Sequence, residues 1–347
     1  MVLYQIMMDR DHLAKTIEQA IEPDLEIVDP HHHLWDTVTI YGRYELADLR
    51  IDASAGHNVT QTVFVDCGAN YFTDGPAHLR PVGETVYVAG RAEQSDRTPG
   101  VTIAAIVGHV DLTGGNRVGE ALDAHRVAAA GRFRGVRHSG ARAEDPTVAA
   151  SRTGPPPDLY RQPSFIAGAK TLAGRGYTFD AWQYHHQLDM VADLARAVPE
   201  LTIIVNHVGG PLGIGRWAAQ PTEVMQTLRT GLSELAGLDN VMMKLGGIAM
   251  TRYGGGWDQL ERPPGSDQVA DRWGDLIRFI IDGFGPHRCM FESNFPVDGE
   301  TVSYNVLWNA FKKMSSTYTE SERADLFART ARRVYKISPP SQPSPNP

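Results

Sequence analysis

The chain has 347 residues, 42% of them hydrophobic and 21% charged, with a formal net charge of -8 and a pI near 5.9. That balance argues against sequence-independent nucleic-acid binding, which needs clustered cations to displace counterions from phosphate, and leaves a small molecule as the expected partner. No stretch approaches about 18 uninterrupted apolar residues, and Met1 to Lys15 lacks the basic and apolar regions of a signal peptide, so the sequence predicts a cytoplasmic protein that does not enter a membrane.

In chain order, short runs rich in β-branched residues recur with helical stretches between them. The predicted strands are Leu25-Asp29, Thr62-Asp66, Val101-Val107, Phe133-Arg137, Tyr177-Trp182, Leu201-Asn206, Val241-Leu245 and Arg288-Phe291. Between them, Leu188-Val191-Leu194-Ala195-Val198 and Trp273-Leu276-Ile277-Ile280-Ile281 carry the spacing of an apolar helix face. Eight strands alternating with helices predict a distorted (β/α)8 TIM barrel with inserted βα loops. A doubly wound open sheet would favour a glycine-rich phosphate turn after its first strand, where this chain has histidines. The expected layout is one barrel domain over 1–337, with an N-terminal extension at 1–24 and an inserted loop at 139–163. Gly154-Pro155-Pro156-Pro157 excludes a regular helix from that loop. Residues 338–347, rich in proline and serine, are expected to be a disordered tail. The cysteines, Cys67 and Cys289, predict buried thiols and no disulfide framework.

The first strand runs into Ile27-Val28-Asp29-Pro30-His31-His32-His33. On a strand, His31 and His33 share a face and His32 takes the other, so two imidazoles project side by side as half of a metal site. Further chemical groups fall at predicted strand ends, where barrels of this type build active sites. His138 follows the fourth strand, His185 the fifth, and His207 the sixth in Asn206-His207-Val208-Gly209-Gly210-Pro211. The eighth ends in Glu292-Ser293-Asn294-Phe295-Pro296-Val297-Asp298. Arg137 and Lys244 lie on the fourth and seventh strands. They either recognise an acidic substrate or pair with Glu292, Asp111 or Asp66 inside the barrel. Trp35, Tyr41, Trp182, Tyr184 and Phe295 are candidates for a pocket wall.

From Leu25 to Tyr335 the chain resembles the amidohydrolase superfamily, in particular the amidohydrolase-2 group with its sugar lactonases and dicarboxylate-lactone hydrolases. His31-x-His33, His185, His207 and the Glu292 to Pro296 segment carry the resemblance. One position departs from it: Asn294 stands where relatives have an aspartate, and an amide is no general base. The resemblance implies a hydrolase that opens a lactone or related ester of a carboxylate-bearing or sugar-like molecule. It implies a divalent ion, zinc first, on His31, His33 and His185, although some lactonases of the group use arginine and histidine in place of an ion. Asp298 or Glu292 would take the proton from water, His207 would complete the site, and Arg137, Lys244, His138 and Asn294 would contact substrate. A nonoxidative decarboxylase and a noncatalytic ligand-binding barrel are the alternatives, and homo-oligomerisation stays open.

Overall fold

The computed structural model describes residues 8–39, 41–148 and 151–339. Eight strands form one parallel sheet in chain order: β1 (Glu26–His32), β2 (Asn58–Val65), β3 (Thr102–Gly108), β4 (Phe133–Arg137), β5 (Thr178–Ala181), β6 (Ile203–Val205), β7 (Val241–Leu245) and β8 (Cys289–Phe291). The ends of the sheet meet just beyond β8. Asn294 N–H donates to His31 O at 2.9 Å and His33 N–H donates to Phe295 O at 2.8 Å. The sheet is a nearly closed (β/α)8 barrel, the architecture the sequence predicts.

Period-two alternation sorts each strand's residues into two cores. Val28, Val63, Val65, Ala105, Val107, Ile204, Met242 and Met290 face inward and meet Ala331, Val334 and Tyr335 of the C-terminal helical segment. Ile27, Phe64, Ile106, Phe179, Met243 and Phe291 face outward, under the helices. Two of those helices, Leu188–Ala197 and Ser266–Phe284, bury the apolar faces read from the sequence. An unbroken β1 would send Asp29, His31 and His33 outward with Ile27. Pairing with β2 shifts by one residue between Asp29 and His32, a β-bulge that contains Pro30. The bulge turns His31 and His33 inward and leaves His32 against Phe64.

Among the described residues 141–162 there is no α-helix, only a single 3-10 turn at Leu159–Arg161, and a helix begins at Pro163. The N-terminal segment is tied to the helix Tyr304–Met314, where Lys312 Nζ donates to Ile21 O and Glu22 O at 2.8 and 2.9 Å. The expected tail lies outside the described residues from 340 onward. Ser338 O accepts a hydrogen bond from Gln61 Nε2 at 2.9 Å. Cys67 and Cys289 are both free, Cys289 fully buried and Cys67 partly exposed. Among the described residues no helix is long and apolar enough to cross a membrane.

Candidate active site

The mouth of the barrel opens into a cavity of about 490 Å³ whose polar lining includes His33, Asp66, Arg137, Arg152, His207, Arg252 and Asn294. Trp35, Tyr41 and Trp182 supply aromatic wall, whereas Tyr184 and Phe295 lie outside the lining. Beneath the cavity, β1, β6, β7 and β8 bring together His31, His207, Lys244 and Glu292, all but fully buried.

Glu292 is the centre of this layer. Its Oε1 accepts from His207 Nδ1 at 2.7 Å and from the His207 backbone N–H at 3.2 Å. Its Oε2 approaches His31 Nδ1 to 2.6 Å outside hydrogen-bond geometry, so that oxygen is buried with no donor. Lys244 Nζ lies 3.9 Å from Oε2 and 3.3 Å from His31 Nδ1, and forms its tight pair with Asp180 Oδ1 at 2.7 Å. Asp180 also accepts from Asn206 Nδ2 at 3.0 Å and from Tyr335 OH. The foreseen internal pairing of Lys244 is therefore present, but its main partner is Asp180. Asp111 instead caps Thr113 locally.

The imidazoles are neutral. Burial pushes His31 far below the ordinary histidine value, with the Lys244 charge adding to it, and does the same to His33, helped by Arg137. His207 is lowered by burial against the opposing pull of Glu292. His33 Nδ1 faces Val65 O at 2.8 Å, and a carbonyl only accepts. The proton therefore sits on Nδ1, and Nε2 carries the lone pair. The Arg137 guanidinium is fixed by His31 Nε2 at 3.2 Å and by the Asp66 carbonyl. Glycine makes room for this packing. A Cβ on Gly246 would run into Glu292, and one on Gly247, at φ 66, would run into the His207 ring. His207 and Asn294 themselves hold left-handed backbone at φ 55, a conformation that non-glycine residues rarely adopt and that recurs at functional sites.

The remaining sequence candidates fall elsewhere. Asp298 is buried behind Asn294, accepting from Asn294 Nδ2 at 2.9 Å and Ala249 N–H at 3.1 Å, and burial raises its pKa well above the carboxylate range. His185 contacts Trp217 and accepts from Leu212 N–H at 3.4 Å. His138 packs on His109 and Phe165. Neither of these histidines lines the cavity. Arg152, on a loop, Arg252, in the single 3-10 turn Thr251–Tyr253, and Asp180 were not singled out from the sequence. Asp180 left a readable signal, a carboxylate at an inward position of a strand. The two arginines left none, because neither a loop nor a single 3-10 turn carries a periodic signal.

A family model of amidohydrolases matches residues 28–337. The chain belongs to the amidohydrolase family. It is 31% identical to the uncharacterised protein y4mH of Sinorhizobium fredii over 90% of this chain and 99% of the relative. It is also 24% identical to an L-fucono-1,5-lactonase of Burkholderia multivorans, over 90% of this chain and 97% of that enzyme. A zinc-bound amidohydrolase crystal structure from Burkholderia multivorans superposes with a TM-score of 0.69 at 23% identity, covering 90% of this chain and 99% of the other. As an amidohydrolase the chain joins a superfamily of enzymes. Its His31, His207 and Glu292, with one donor atom from each lying within 4.8 Å of the others, are a group that could hold a metal ion.

Proposed function

We propose that this amidohydrolase opens a lactone or related ester of a small carboxylate-bearing or sugar-like molecule by attack of water on the ring carbonyl. The observation that carries the reading is the 2.7 Å contact of Glu292 with His207 at the wall of the cavity. With Nδ1–H donating to the carboxylate, the neutral ring keeps the Nε2 lone pair free to take a proton. Water attacks the carbonyl carbon as His207 Nε2 accepts its proton. The oxyanion that develops is stabilised by Arg137, whose charge faces no carboxylate in an ion pair. The ring C–O bond then breaks, and the same nitrogen returns the proton to the leaving alkoxide, which yields the hydroxy acid. Glu292 thus acts behind His207 as a positioning carboxylate. Asp298, behind Asn294, accepts from its Nδ2 and holds that amide in place. The lactonase relatives at 24% and 25% identity support the choice of reaction.

The donor set also suits a divalent cation, with zinc the first candidate. Glu292 Oε2 is buried without a donor, and His31 and His207 flank the same carboxylate. An ion held by these three groups would supply a Lewis acid for the carbonyl and would occupy the His207 lone pair, so this arrangement would replace proton transfer at Nε2, not add to it. His33 stands beside them through its ring contact with His31 at 4.9 Å, whereas the contacts of His185 are with Trp217 and His186.

The test is a panel of five- and six-membered lactones, followed by proton release, on protein purified without a metal column and assayed with zinc, with manganese and with chelator. Hydrolysis that His207→Asn lowers by about a hundredfold or more supports the reading. No turnover under any of these conditions, with lactone binding retained, would overturn it in favour of a binding barrel.

A further inference from the structure

The charge inventory of the cavity is unbalanced. Arg137, Arg152 and Arg252 line it together with a single carboxylate, Asp66. Asp66 is already engaged, with Oδ2 taking Arg152 Nη2 at 2.8 Å and Oδ1 taking Tyr71 OH at 2.6 Å. Burial is the largest influence and would raise its pKa, but Arg152, His109 and Arg137 together outweigh it and keep Asp66 ionised. Arg137 is bound by a ring nitrogen and a carbonyl. Arg252 donates to Tyr184 OH at 3.3 Å. Glu300 is the carboxylate whose charge reaches Arg252, but it forms no ion pair with it and accepts from Thr251 N–H at 3.1 Å. Among the described residues neither Arg137 nor Arg252 makes an ion pair. A partly buried guanidinium carries a rigid fork of donors matched to a carboxylate, and sequestering it without one is costly.

We infer that the cavity takes a lactone carrying a ring carboxylate, held by Arg252, while Arg137 serves the scissile carbonyl. Arg252 is thus a specificity-determining residue, and the substrate is anionic before the ring opens, unlike a neutral sugar lactone. The inference rests on the hydrolase reading for the reaction but not for the anion. The volume of about 490 Å³ suits a single substituted ring.

The experiment compares paraconate, a lactone with a ring carboxylate, with its neutral carboxamide, on the intact chain and on Arg252→Met and Arg252→Lys. The native protein is expected to favour paraconate in kcat/KM by at least about tenfold. Arg252→Met should reduce that ratio by about tenfold to a hundredfold, chiefly through KM, with Arg252→Lys recovering part of it. An unchanged ratio in a variant with a native melting transition, or equal use of both probes by the native protein, would overturn the inference. Glutarate binding by calorimetry, with glutaramide as control, separates the two readings. If neither lactone is opened but glutarate binds and Arg252→Met abolishes it, the anion site stands and the lactonase reading fails. If glutarate does not bind and neither lactone is used, the anion site fails.

Discussion

The mouth of the barrel and the layers below it treat buried charge in opposite ways. Below, several buried charges are fully paired. Asp180 is surrounded by Lys244, Asn206 and Tyr335, Arg332 grips Glu26 with two nitrogens, and Lys312 meets two carbonyls and His57 Nδ1. At and just beneath the mouth, Glu292 Oε2 lacks a donor, Arg137 and Arg252 make no ion pair among the described residues, and His207 and Asn294 hold left-handed backbone. Unpartnered polar atoms also occur elsewhere in the fold, at Arg323 Nε and Trp308 Nε1 among others, so it is their convergence around one cavity that marks the functional end.

The strongest break in that contrast is Glu292→Gln. It leaves the fold's volume intact but removes the charge that orients His207 and neighbours Lys244. A fall in kcat/KM of about a thousandfold is expected, along with loss of any bound divalent ion by elemental mass spectrometry. A loss below tenfold would mean that the proton is handled elsewhere. Asp180→Asn attacks the answered layer instead. It strands the Lys244 ammonium at full burial, so a loss of about 3–5 kcal/mol in denaturant-derived stability is expected. A change under about 1 kcal/mol would show that Lys244 relaxes toward Glu292.

The same contrast explains what the sequence made legible. All eight barrel strands appear where apolar, β-branched runs predict them, because a strand buried on both faces must be apolar almost throughout. The ends are less legible. β2 begins at Asn58, four residues before the predicted start, since Asn58, Thr60 and Gln61 break the apolar run. β1 continues to His32 past a proline, which sequence rules confine to bulges and edges. His31, His33, His207, Glu292, Arg137 and Lys244 were all readable as polar groups at strand ends, and they converge. His185 was readable in the same way and does not converge, because the 3-10 turn His185–Gln187 carries its ring toward Trp217. Which strand-end group reaches the axis is decided by a bulge or a turn a few residues away, and neither has a periodic signature.

A pH experiment sharpens the contrast at the foot of the barrel. His57 donates Nε2–H to Asn305 O at 3.1 Å and accepts from Lys312 at Nδ1, at 2.8 Å, so the folded ring must be neutral. Burial, and then the Lys312 charge, push its pKa down to about 4. In the unfolded chain it titrates near 6.5, so as pH falls the unfolded state binds the proton first. The stability this group contributes is present above about pH 6.5 and is lost as pH falls toward 4. Allowing for its partial solvation, that loss is on the order of 2 kcal/mol. His57→Gln should flatten the acid limb of stability by that amount in urea titrations at pH 7 and pH 4.5. Parallel pH curves for the two proteins would refute the assignment.

The smallest effect is expected where charges are answered but exposed. Arg161 bridges Asp189 at 2.8 Å and Asp193 at 2.6 Å between the turn at Leu159–Arg161 and the helix Leu188–Ala197. Geometrically this rivals the Lys244 pair, yet the Arg161 side chain is 37% exposed and its two partners more so. Water and salt already solvate these ions in the unfolded chain, and ordering three side chains costs entropy, so Arg161→Ala should cost less than about 1 kcal/mol. The cost should shrink further in molar salt, whereas that of Asp180→Asn should not, because no counterion reaches the barrel interior. A salt-insensitive loss at Arg161 as large as that at Asp180 would show that short contact distance, and not burial, sets the worth of an ion pair in this fold.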